Sequence, residues 1–150
     1  MIDPRLIAAV ETLIPVHTRP GHVPLIAIAG SQGSGKTTLA RAVAARTGAA
    51  HLSLDDVYLT RSERAALARA VHPLFATRGP PGTHDLGLLD RVIDTLSAAG
   101  SDDRTPLPAF DKLADDRLPP EAWPVFAGRP TAILLDGWCL GAAPQDAAAL

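Results

Sequence analysis

The sequence predicts an α/β domain built on a parallel sheet, and three observations carry that expectation. Residues 25–29 and 131–135 are short continuous apolar runs, the character of strands buried on both faces. Residues 51–54 read as another short strand, and segments of helical periodicity separate the three. The first run leads directly into a glycine-rich turn that opens a helix, the junction expected at the end of a parallel strand.

The elements follow in order. Residues 4–14 place Leu6, Ile7, Val10, Leu13 and Ile14 on one helical face, and residues 15–24 form a Pro/Gly-punctuated connection. After the strand at 25–29, a helix opens at Gly35 or Lys36 and runs to about Thr47, where Gly48 stops it. The strand at 51–54 ends in Asp55 and Asp56. Thr60 with Glu63 has the spacing of a capping box for a helix through Val71, and residues 72–84 are a Gly/Pro-rich loop. Asp85 caps a further helix whose apolar face is Leu88, Leu89, Val92, Ile93 and Leu96. Residues 100–123 are dominated by turns, prolines and charges, and the last strand ends in Asp136-Gly137. With no repeat or internal boundary, residues 1–150 read as one domain.

Composition narrows the function classes. A net charge of -2 and scattered arginines give no reason to expect a nucleic-acid or membrane surface. The single cysteine, Cys139, excludes an internal disulfide framework. No apolar run has the length of a membrane span, and the first residues lack an export pattern, so the expected location is the cytoplasm.

The chemistry concentrates in Gly30-Ser31-Gln32-Gly33-Ser34-Gly35-Lys36-Thr37, which satisfies the pattern Gly, four residues, Gly, Lys, Ser or Thr. Glycines let successive N–H groups turn inward on phosphate oxygens, and the positive end of the following helix favours an anion. Lys36 suits the β- and γ-phosphates of ATP, the Thr37 hydroxyl suits Mg²⁺, and Thr38 continues the phosphate-facing turn. Lys36 and Lys112 are the two lysines of the chain, so this placement is not a product of abundance.

In open α/β sheets ligands collect beyond the carboxyl ends of the strands, where this loop, Asp55-Asp56 and Asp136 all fall. Asp136, at the end of an apolar run, has the form of an acid that holds Mg²⁺ through water. Asp55 and Asp56, in a strand, would face opposite sides. One would orient an acceptor hydroxyl and take its proton, the other would face the protein, and a turn-capping role is the alternative for either.

Ser53-Leu54-Asp55-Asp56-Val57-Tyr58, together with the phosphate loop, resembles the superfamily of uridine kinase, phosphoribulokinase and pantothenate kinase. Within it the chain is most similar to the D-glycerate 3-kinase family. The carriers are residues 54–60, Arg78-Gly79-Pro80-Pro81-Gly82-Thr83-His84-Asp85, Phe110-Asp111-Lys112, Asp115-Asp116-Arg117 and Asp136-Gly137-Trp138-Cys139. The resemblance implies a three-layer α/β/α P-loop fold and transfer of the ATP γ-phosphoryl to a hydroxyl of a small acid, with Mg²⁺. It implies Asp55 as the catalytic carboxylate beside Lys36. It also implies an acceptor site drawn from Asp56, Tyr58, Arg78 and His84, with Asp85, Asp111 and Arg117 near it. Relatives usually carry Glu where this chain has Asp136.

The family also continues past the length of this chain, with later strands, adenine contacts and an arginine-bearing lid. Without those strands, residues 25–29 are expected to form an exposed apolar edge that favours self-association. Two other readings stay open: another alcohol acceptor, such as a nucleoside or pantothenate-like molecule, and a noncatalytic nucleotide-binding module. The lack of an Asn-Lys-x-Asp motif counts against a GTPase.

Overall fold

The structure, a computed structural model, describes residues 2–143. Helix α1 (Pro4–His17) opens under Asp3, whose carboxylate accepts from the Arg5 N–H. It continues past the expected stop at Pro15. A proline in the last turn forfeits only one helical hydrogen bond, and the Thr18 N–H still reaches the Ile14 carbonyl at 3.0 Å. Ile7, Val10 and Ile14 pack inward, whereas Leu6 and Leu13, expected on the same face, are exposed.

Strand β1 (Leu25–Ala29) and helix α2 (Lys36–Thr47) lie where the sequence predicts them, and Gly48 ends α2 in the left-handed region. Strand β2 (Ala50–Ser53) stops before the two acids, which sit in a 3-10 turn at Leu54–Val57. Helix α3 (Arg61–Ala70) carries the full capping box. The Glu63 N–H donates to Thr60 Oγ1 at 3.3 Å, and the Thr60 N–H donates to Glu63 Oε2 at 2.7 Å. Within the loop at 72–84 lies a second 3-10 turn, Pro73–Ala76. Helix α4 (Leu86–Ala98) is capped by Asp85, which accepts from the Leu88 N–H at 2.9 Å.

The segment read as turns contains two small antiparallel ribbons. Strand β3 (Arg104–Pro106) is completed by β6 (Val125–Ala127), and β4 (Phe110–Asp111) pairs with β5 (Asp116–Arg117). Strand β7 (Ile133–Gly137) then enters the main sheet between the first two strands, giving the parallel order β1-β7-β2.

Alternation along the strands assigns each side chain to a layer. Ile133 and Leu135 join Ala50 and Leu52 against Leu89, Val92 and Leu96 of α4. Leu134 and Ile26 face the opposite way, onto Ala40 and Val43 of α2 and Ile14 of α1. The three-layer α/β/α arrangement is therefore present. The same alternation turns Asp136, two residues after Leu134, toward α2, and puts His51 and Ser53 on that side as well. No helix among the described residues is long and apolar enough to cross a membrane.

Among the described residues β1 pairs only with β7, so its other side is a sheet edge. Leu25 is 48% exposed there, and Ala27 and Ala29 are exposed too. An open apolar edge is a template for pairing with another chain. The 150-residue chain is therefore expected to show a mass above that of the monomer in light scattering as concentration rises. Ala27→Lys, a charge on that strand, is expected to return it toward monomer; equal association in both proteins would refute the edge as the cause.

Candidate active site

The turn between β1 and α2 has the backbone that its glycines permit. Gly33 and Gly35 lie at φ 75 and 88, a region that side chains with a Cβ rarely adopt. Gly35 caps α2 without any side-chain hydrogen bond, so no side chain occupies the leading N–H groups of the helix. At Gly30 an added Cβ would lie 3.2 Å from Ser34 Oγ and 3.5 Å from Lys36 Cδ, so the loop closes tightly on itself. The Lys36 ammonium donates to the Ser31 carbonyl at 2.6 Å, folded over the cradle it would share with phosphate. Gln32, Gly33, Gly35, Lys36, Thr37 and Thr38 form one wall of a cleft of about 570 Å³, while Gly30, Ser31 and Ser34 shape the turn behind it.

Asp136 stands at the floor of this cleft, 2% exposed. Ser53 Oγ donates to its Oδ1 at 2.6 Å, and His51 Nε2 lies 3.2 Å from its Oδ2. Burial pushes this carboxyl up. The hydrogen bonds of His51, Ser53 and the nearby Thr37 hydroxyl outweigh burial and hold it below its ordinary value. The next residue must be glycine for a packing reason, because a Cβ on Gly137 would sit 2.9 Å from Leu140 and 3.0 Å from Leu54. Among the described residues no cluster of three or more His, Cys, Asp or Glu could hold a metal by itself. The Thr37 hydroxyl and the ionised Asp136 fit Mg²⁺ that arrives with nucleotide phosphates, since Mg²⁺ retains waters and takes few protein oxygens.

Asp55 and Asp56 point to different places, as the sequence suggests, but through the 3-10 turn and not through strand alternation. Asp55 lines the cleft opposite the loop. It accepts from Lys112 Nζ at 2.9 Å and from the Tyr58 hydroxyl at 3.3 Å. Tyr58 is buried, which together with the Asp55 charge pushes its phenol up to about 12. His84 stacks on Tyr58 with ring centroids 4.3 Å apart, and its buried Nε2 has no partner among the described residues. Burial also pushes the His84 imidazolium down. Asp56 turns away from the cleft, toward the Phe110 N–H and a hollow beside Arg41 and His51.

The remaining acceptor-site candidates separate. Arg78 lines the cleft. Asp85 does not; one of its oxygens caps α4 and the other accepts from Arg117 at 3.0 Å. Arg117 also lies 3.6 Å from Glu63 and is largely buried, so the pair is committed to joining α3, α4 and β5. Asp111 accepts from the Leu113 and Ala114 N–H groups and shapes the turn between β4 and β5. Asp56, His84, Asp85, Asp111 and Arg117 are thus outside the cleft lining. Conversely, Lys112 and Trp138 are in it, although a solvated ion pair and a packing role are equally compatible with the sequence around them. His51 and Ser53 also serve the site, as the partners of Asp136, and their spacing of two on β2 is the sequence signal for that role.

Burial pushes the Asp56 carboxyl above its ordinary value, with the Phe110 N–H and nearby cations offsetting part of the effect. A carboxyl raised on folding stabilises the protein below its unfolded pKa, and that contribution is lost as pH rises through the folded value. At pH 7 the ionised Asp56 is therefore a cost. Asp56→Asn is expected to melt higher than the parent at pH 7, with the difference shrinking toward pH 4. A lower melting temperature at pH 7 would show that Asp56 stabilises as a carboxylate.

No protein-family model matches the chain, and no curated protein matches it either. Solved structures do. D-glycerate 3-kinase from Cryptococcus neoformans var. grubii is 27% identical, with a TM-score of 0.74 over 94% of this chain and 52% of that one. The YGR205w protein is 26% identical, with a TM-score of 0.73 over 96% of this chain and 54% of that one. A possible uridine kinase from Bacillus stearothermophilus, 19% identical, has a TM-score of 0.57 over 92% of this chain and 72% of that one, a likeness of fold. The chain spans about half the length of the first two structures. With the phosphate loop at the head of α2 and the order β1-β7-β2, these likenesses show that the chain has the α/β fold of P-loop kinases.

Proposed function

We propose that the chain binds ATP with Mg²⁺ and transfers the γ-phosphoryl to a hydroxyl of a small hydroxy acid, D-glycerate first among the candidates. The observation that carries this reading is the composition of the cleft beside the phosphate loop. A phosphate loop forms one wall, Asp136 the floor, and Asp55 with two further cations, Arg78 and Lys112, the wall opposite. The likeness to D-glycerate 3-kinase supports the choice of acceptor.

In this reading the loop amides and Lys36 hold the phosphates and balance charge as it moves onto the leaving β-phosphate oxygen. Thr37 and Asp136 would hold Mg²⁺, which when bound neutralises phosphate charge. Asp55 orients the acceptor hydroxyl and takes its proton as the oxygen bonds to the γ-phosphorus. The bond from that phosphorus to the β-phosphate oxygen breaks, and ADP leaves. Tyr58 fixes the Asp55 carboxylate by its hydroxyl. Arg78 and Lys112 supply the positive face that an acceptor carboxylate needs beside Asp55. Arg78 and Lys112 favour an anionic acceptor over a neutral nucleoside, and a pantothenate-like alcohol, which also carries a carboxylate, belongs in the same assay.

Coupled ADP release measured across hydroxy acids, nucleosides and pantothenate-like alcohols tests the reading, with acceptor-dependent turnover expected for a hydroxy acid. Lys36→Ala is expected to lower turnover by about a hundredfold or more, the scale of losing a charged transition-state contact. Asp55→Asn is expected to keep ATP affinity within about threefold while slowing transfer by about a hundredfold or more. ATP binding with no transfer to any acceptor would replace the kinase reading with that of a nucleotide-binding module.

A further inference from the structure

Arg64, on α3, is the largest fully buried side chain among the described residues, and none of the chemistry above uses it. Its guanidinium gathers three separate segments. Nε donates to the Leu59 carbonyl at 3.2 Å, Nη1 to the Ala76 carbonyl at 3.0 Å, and Nη2 to the Asp115 carbonyl at 2.6 Å. The Asp115 carboxylate neutralises it, with Oδ2 3.0 Å from Nη2.

Asp115 is unusual in itself. It is the one non-glycine residue at positive φ among the described residues, with φ 55. An aspartate in this region is uncommon and marks a position over-determined by its surroundings. The surroundings here are two guanidinium groups, because the second oxygen, Oδ1, accepts from Arg78 Nη1 at 2.6 Å. Burial pushes the Asp115 carboxyl up, and the bonds from Arg64 and Arg78 outweigh it and hold the group ionised. Arg78 Nη1 also donates to the Lys112 carbonyl at 3.2 Å, and the Phe110 ring lies under both guanidinium groups at 5.6 and 5.9 Å. Arg78 and Lys112 are the two cleft cations outside the phosphate loop.

A structural staple would need only Arg64, its carbonyl acceptors and a carboxylate of its own. Here the carboxylate is shared between a cation sealed in the protein and a cation facing the cleft. Two guanidinium charges against one carboxylate leave the group net positive, on the side where Arg78 reaches the cleft. We propose that Arg64 and Asp115 are positioning residues, which hold Arg78 and the backbone of Lys112 in place as the binding face for the carboxylate of the acceptor. This rests on the kinase reading with an anionic acceptor and names the part of the cleft that reads the anion.

Arg64→Ala would empty a fully buried site, take the donor from the Leu59, Ala76 and Asp115 carbonyls and so disturb folding; the test therefore uses Asp115→Asn. Asparagine tolerates the left-handed backbone and keeps an acceptor oxygen but loses the charge. A double-mutant cycle of Asp115→Asn with Arg78→Ala is read in two ways: KM and kcat in the ADP-release assay with D-glycerate and with ATP varied in turn, and calorimetric binding of D-glycerate to the chain with MgADP. Asp115→Asn is expected to raise the D-glycerate KM and Kd by about tenfold, on the scale of one charge-assisted hydrogen bond, with the KM for ATP unchanged. In the Arg78→Ala background the same substitution is expected to add nothing. Equal effects in both backgrounds, or a fall in melting temperature with unchanged D-glycerate affinity, would overturn the proposal and leave the kinase reading intact. Coupled D-glycerate binding without turnover would overturn the kinase reading and keep the positioning role. A chain that binds ATP but no D-glycerate would overturn the proposal.

Discussion

The structure depends on the insertion of β7 between β1 and β2. Parallel pairing on both sides aligns Ala29, Ser53 and Gly137 at one rim of the sheet, with Ser53 and Ile28 both opposite Asp136. The phosphate loop leaves the end of β1, the Asp55 turn leaves the end of β2, and Asp136 belongs to β7 itself. Leu134, fully buried against α2, fixes the facing of the strand and so turns Asp136 toward the loop. A slip of one residue in β7 would send Asp136 into the apolar layer under α4, where no partner could satisfy its charge.

The polar pattern of the rim follows from the same register. An almost completely buried carboxylate is costly unless its oxygens are bonded, and Ser53 and His51 supply those bonds from the neighbouring strand. Across the cleft the charges are arranged differently. Asp55 pairs with Lys112 at a partly exposed position, where the ion pair itself contributes little stability. Its location is therefore better explained by what the cleft must bind than by what the fold needs. Arg64 and Asp115 combine both demands, since one carboxylate neutralises a sealed cation and orients an exposed one.

Much of this was legible in the sequence, and the reasons differ from element to element. The loop, α2 and its Gly48 stop were readable because they depend on local chemistry, in which glycine, an N-terminal dipole and a lysine act within a few residues. The Thr60–Glu63 box was readable for the same reason. The divergence of Asp55 and Asp56 was anticipated, but through the wrong local geometry, since a 3-10 turn and a strand both separate consecutive side chains. What was not legible depends on pairing at long range. Asp85 with Arg117, and Arg64 with Asp115, join positions more than thirty residues apart, so a charged residue near a motif could not be told from one inside the cleft. The ribbons β3–β6 and β4–β5 were missed because strands of two or three residues have no periodicity to read.

On the proposed reading, the loop and the β7 acid form one site for nucleotide phosphates together with Mg²⁺. Calorimetric titration of ATP with and without Mg²⁺, into the parent chain and into Asp136→Ala, tests it most directly. Mg²⁺ is expected to tighten ATP binding to the parent, with the gain lost in Asp136→Ala and binding without metal little changed. The same Mg²⁺ gain in both proteins would rule out Asp136 as the acid that holds the metal.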